Sequence, residues 1–155
     1  MSQTEEKQPK QQDKRGLAGQ VIGDTSVCSV NQTQLIYRGY EIADLAANAT
    51  FEEVAHLLLI GHKPTSEELS SFKTKLASMR SIPDSVRDTI VQIAQNSPET
   101  HPMGVLRTAV SLLSHLCPVC EDNSAEADLQ KSMHLLAKIP TCIGAHQMAL
   151  DGKTP

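Results

Sequence analysis

The strongest constraint on this chain is a signal that occurs twice. Thr50 is followed by Glu53, and Thr65 by Glu68, each just ahead of a run with apolar residues at helical spacing. In such a capping box the threonine side chain accepts from the backbone N–H three residues on, while the glutamate reaches back to the threonine N–H. Two orphan donors are satisfied together, which commits both runs to helix and excludes strands there. Gly61 closes the first run as a C-terminal cap. The second run carries Leu69, Phe72, Leu76 and Met79 on one face. The same punctuation continues downstream. Pro83 stands in the first turn of a helix with Val86, Ile90 and Ile93 on one side. Thr100 is read as the cap, and Pro102 as the first turn, of a helix over 102–116. Ser124 caps a helix over 125–139. Pro140 or Thr141 opens a last one, because proline removes a helical donor. Ile42, Leu45 and Ala46 make a short face ahead of all of these.

The N-terminal part has another texture. Residues 1–14 are Gln, Lys and Glu with almost nothing apolar, the pattern of a disordered tail. From Gly16 onward come glycines, a β-branched run ending in "SVCSV", the polar turn "NQTQ" and the short piece "LIY". This predicts a small hairpin. The expected class is mainly α, multi-helical, with a small N-terminal β element, in one domain over 15–155. The chain has 155 residues, a net charge of -4 and no basic stripe after its start, which argues against a nucleic-acid partner. No apolar run approaches the ~18 residues of a membrane helix. The start lacks a secretory leader, and four cysteines are few for a disulfide scaffold, so a cytoplasmic chain is expected.

Four stretches invite chemistry. "CPVC", Cys117 to Cys120, has the spacing of half a zinc site or a redox pair. Cys142 and His146, at i and i+4, would complete a four-ligand set. The structural alternative puts Cys117 at a helix end and Cys120 in a loop. The six histidines are spread out. His56 reads as a half-buried packing residue, His62 and His134 as surface or helix-end residues, and His101 as a residue following a cap. Gly16, Gly19 and Gly23 do not fit a dinucleotide fingerprint. Last, "YRGY", Tyr37 to Tyr40, holds both tyrosines of a chain with no tryptophan. Gly39 there suits a positive φ, and Arg38 suits stacking on a ring or pairing with a carboxylate. The simplest reading is a latch between the β piece and the helices.

"GLAG…YRGYEIADLA", "TFEEVAHLLLIGHKPT" and "THPMGVLRTAVSLL" follow one another in this order. Together they resemble the N-terminal part of the citrate synthase family, and "FKTKL…MRSIPDSVR" points toward its bacterial 2-methylcitrate branch. The resemblance implies a mostly helical homodimer that condenses propionyl-CoA or acetyl-CoA with oxaloacetate, using two histidines and an aspartate. It implies no bound cofactor, with a coenzyme A thioester as substrate and no metal. Arg15 is the nearest match to a family arginine that binds CoA phosphates. The family's catalytic motifs do not occur here, and neither His101, His146 nor Asp151 stands in such a context. The expectation is therefore a truncated chain, inactive as a synthase alone. The alternative is a non-catalytic helical interaction module that pairs with itself or with a full-length synthase.

Overall fold

The computed structural model describes residues 23–30 and 33–155. The tail over 1–14, Arg15, Gly16, Gly19 and the start of the "NQTQ" turn lie outside the described residues. Among the described residues, three short antiparallel strands come first: β1 (Cys28–Val30), β2 (Leu35–Tyr37) and β3 (Tyr40–Glu41), in the order β1-β2-β3. Cys28 sits opposite Tyr37, and Tyr37 opposite Tyr40. The hairpin is therefore present, and Tyr40–Glu41 adds a third strand directly ahead of the first helix. The two residues between β2 and β3 both have positive φ, +47° at Arg38 and +89° at Gly39. Such a pair makes a two-residue turn whose twist matches its strands. Gly39 adopts this as expected; Arg38 does so against its Cβ.

Six helices follow among the described residues: α1 (Ile42–Asn48), α2 (Phe51–Ile60), α3 (Ser66–Ser78), α4 (Asp84–Asn96), α5 (Pro102–His115) and α6 (Ala125–Leu150). Both capping boxes form. Thr50 N donates to Glu53 Oε2 at 2.7 Å, and Thr65 N to Glu68 Oε2 at 2.8 Å. Gly61 closes α2 at φ +105°, its N–H bonded to the Leu57 carbonyl. Ser124 Oγ accepts from Ala127 N at the start of α6.

Two expectations need correction. The cap of α5 is His101, not Thr100: its Nδ1 accepts from Met103 N at 3.2 Å, directly ahead of Pro102. Pro140 does not open a new helix. It lies inside α6, which runs unbroken through 26 residues. Proline removes one hydrogen bond there and tends to kink the helix, at a cost of about 3 kcal/mol in an isolated helix. Packing on both sides of Pro140 offsets that cost. On the N-terminal side, Met133 and Ala137 of α6 join Phe72 and Leu76 of α3 in one buried cluster. On the C-terminal side, Cys142 and Ala145 join Val86 and Ile90 of α4 and Val105, Ala109 and Leu113 of α5 in a second. Helix α6 is thus the shared wall of two small cores. In α4 the most buried stripe is Val86, Ile90 and Ala94, with Ile93 at its margin.

Candidate functional site

The β corner is a latch. Arg38 Nη1 donates to Ser26 Oγ at 3.0 Å and Nη2 to the Leu58 carbonyl at 3.3 Å, tying the turn to the last part of α2. Among the described residues, no carboxylate pairs with Arg38. The cation over an aromatic ring here is Lys63, whose Nζ lies 4.4 Å from the Tyr40 centroid. Tyr37 is half-buried, and Tyr40 is exposed at the corner.

The corner between α2 and α3 gathers two histidines. His56 is buried rather than half-buried; its ring meets His62 and Phe72 edge-on, with centroids 5.2 and 5.3 Å away. His56 Nδ1 is bonded to the His62 carbonyl at 3.0 Å. The exposed His62 places Nε2 3.3 Å from Glu68 Oε1. The Thr65 N–H, then the Thr65 hydroxyl, then His62 hold the Glu68 carboxyl at about 2. These groups stabilise a turn. Among the described residues, the partners of the two rings are Phe72, the His62 carbonyl and Glu68.

Cys142 and His146 face α4 and α5 and border a void of about 30 Å³ with Ile90, Val105 and Ala109. Burial pushes the Cys142 thiol up. His146 Nε2 is buried and has no hydrogen-bond partner among the described residues. Cys117 and Cys120 border a different hollow, so the four-ligand set is not assembled. Among the described residues, no three His, Cys, Asp or Glu side chains are grouped to hold a metal ion.

That second hollow combines a mostly apolar wall with a polar edge. It measures about 330 Å³ and lies between the end of α5, the turn over 116–120 and the outer face of α6. Val110, Leu113, Leu116 and Leu135 make its apolar wall, and Cys117, Cys120, Lys131, His134 and Lys138 its polar edge. His134 is a mid-helix residue on this wall, not a helix-end one. Both ammonium groups are engaged. Lys131 Nζ donates to the Asp122 carbonyl at 2.6 Å and pairs with Asp128 at 2.8 Å, and Asp128 first among its neighbours raises it. Lys138 Nζ donates to the Ser81 carbonyl. The sequence reading did not single out this wall, although Lys131, His134, Leu135 and Lys138 fall at i, i+3, i+4 and i+7, one helical face. The hollow offers a mostly apolar surface and two thiols.

Comparison with known proteins places the chain. The family model described as "Citrate synthase, C-terminal domain" matches residues 16–155. The chain is 42% identical over 130 residues to 2-methylcitrate synthase of Shewanella oneidensis, covering 83% of this chain and 33% of that protein. It is 36% identical over 141 residues to citrate synthase 2 of Bacillus subtilis, covering 91% of this chain and 37% of the relative. The crystal structure of citrate synthase from Pyrobaculum aerophilum superimposes with a TM-score of 0.75 at 28% identity, over 89% of this chain and 36% of that one. The chain spans about a third of the length of the relatives it matches.

Proposed function

The chain belongs to the citrate synthase family, and from that premise we propose that it supplies part of the helical scaffold of a 2-methylcitrate or citrate synthase. The full enzyme condenses propionyl-CoA or acetyl-CoA with oxaloacetate. The chain alone does not catalyse that step. The observation carrying this reading is the pairing of a 42% identity match with coverage of only 33% of the relative. The placement of the candidate residues agrees with it. His101 caps a helix, His146 sits in an apolar core, and Asp151 bonds Gln147 at the end of α6. Enolising a thioester needs a base and an oxyanion donor converging on one carbon, whereas each of these three is taken up by capping or packing. In the complete enzyme Arg15 would meet CoA phosphates and two subunits would pair, in the cytoplasm. No helix among the described residues is long and apolar enough to cross a membrane.

The test is thiol release from propionyl-CoA, and separately acetyl-CoA, with oxaloacetate and the purified chain. No release above background is expected. Release that depends on both substrates would refute the inactive-scaffold reading.

A second reading, pairing with another copy or with a full-length synthase, draws on the exposed apolar residues of α5 and α6. Met103 is 63% exposed and Ile143 54%, with Leu116 and Leu135 beside the hollow. Patches of this kind mark association surfaces. Size-exclusion chromatography with light scattering reads the outcome: a dimer, or co-elution with the full enzyme, supports association, and a monodisperse monomer that ignores the full enzyme removes it.

A further inference from the structure

We propose that Cys117 and Cys120 form an oxidisable dithiol, a thiol–disulfide exchange site that takes a small disulfide such as glutathione disulfide as its oxidant. The geometry rests on the turn that follows α5. Cys120 N donates to the Cys117 carbonyl at 3.2 Å. A turn closed by that bond brings its first and fourth Cα within about 7 Å, and a disulfide needs roughly 4.4–6.8 Å. Pro118 occupies the second position, where its fixed φ pre-sets the turn. Bonds from Cys117 N to the Ser114 carbonyl and from Asp122 N to the Val119 carbonyl brace it on either side. The folded chain therefore holds the two cysteines in register at no further ordering cost.

Access and charge agree with the geometry. Both residues are partly exposed and both line the 330 Å³ hollow, whereas Cys142 is only 2% exposed. The Lys131 ammonium lies within electrostatic range of Cys120.

The exchange balances in two steps. The thiolate of one cysteine attacks a sulfur of glutathione disulfide; that S–S bond breaks and one glutathione thiolate leaves. The second cysteine, as thiolate, attacks the protein sulfur of the mixed disulfide and expels the second glutathione. The Cys117–Cys120 bond has formed, and the two protons released by the protein thiols end on the two glutathiones.

Trypsin cutting after Arg107 and Lys131 places both cysteines on one peptide, 108–131, with no other cysteine. The folded chain is incubated with excess glutathione disulfide, quenched in acid, digested and weighed. The expected peptide has lost the mass of two hydrogens and carries no glutathione. In Cys120→Ser the mixed disulfide should persist on Cys117. At a fixed ratio of reduced to oxidised glutathione, the folded chain should show a disulfide-to-dithiol ratio at least about tenfold above that in urea. A wild-type peptide that stays reduced, or that collects glutathione adducts without an internal bond, overturns the proposal. So does equal oxidation in urea, because the fold then contributes nothing.

Discussion

Ile90 offers the sharpest test of how the C-terminal core is built. It is 1% exposed, and it packs with Val105 and Ala109 of α5 and with Cys142 and Ala145 of α6. Ile90→Ala deletes three carbons. At about 0.8 kcal/mol for each buried group, the lost transfer term is roughly 2.4 kcal/mol. A cavity term of about 24 cal/mol per Å³ adds to it. The existing void of about 30 Å³ beside Ile90 merges with the new space, so the site does not start fully packed and the walls have less to lose on that side. The expected total is about 3–4 kcal/mol, with Ile90→Val at about 1 kcal/mol. Urea unfolding followed by far-ultraviolet circular dichroism measures both, and the urea slope should stay unchanged. A loss below about 1 kcal/mol for Ile90→Ala would refute the reasoning. It would mean that α4 does not seat on α5 and α6 through this residue.

Replacing His101 by Ala removes the side-chain acceptor for Met103 N and should cost about 0.5–1 kcal/mol, while His101→Asn should retain stability and Thr100→Ala should change it by only a few tenths; the reverse ranking in thermal melts would return the cap to Thr100. Gly61→Ala meets open space but keeps φ at +105°, so backbone strain alone should lower stability by about 1 kcal/mol, and an unchanged urea midpoint would contradict this. Glu68, held at about 2 by Thr65 and His62, has a folded pKa below its unfolded value of about 4.3. Its contribution is therefore complete above that unfolded value and is lost as pH falls toward 2. Glu53 and Asp122, lowered first by the N–H groups of Thr50 and Ser124, act in the same direction. Glu68→Gln should flatten the acid limb of the stability curve, and curves that run parallel would count against the linkage.

Most helix starts were legible because their causes are local. Thr50, Thr65 and Ser124 satisfy donors within three residues of themselves, and no tertiary partner is needed to see it. His101 was missed for the opposite reason: Thr100 is the more common cap type, and only the backbone path decides which of two adjacent acceptors faces Met103 N. Pro140 misled more seriously, because a local breaking signal was outweighed by the clusters packed on both flanks of α6. The pairing of family blocks such as "YRGYEIADLA" and "THPMGVLRTAVSLL" was legible and led to the right family. The hollow beside Cys117 was half-legible. Its helical face can be read from the spacing of Lys131, His134, Leu135 and Lys138, but the opposite wall comes from α5, and that juxtaposition belongs to the fold. The burial of His146 next to Ile90 and Val105 has the same origin.

The proline within α6 has a mechanical consequence. At about 1.5 Å per residue, its 26 residues form a shaft of about 39 Å that carries one core on each side of Pro140. Pro140 has no N–H, so the Leu136 carbonyl receives no donor from the next turn, and this missing rung falls between Ala137 of one core and Cys142 of the other. Torque applied at either end is resisted least at that point. The α2–α3 and α4–α5 packing units are thus joined along α6 through a turn that lacks one backbone hydrogen bond. Amide exchange should accordingly fall into two tiers that meet at residue 140.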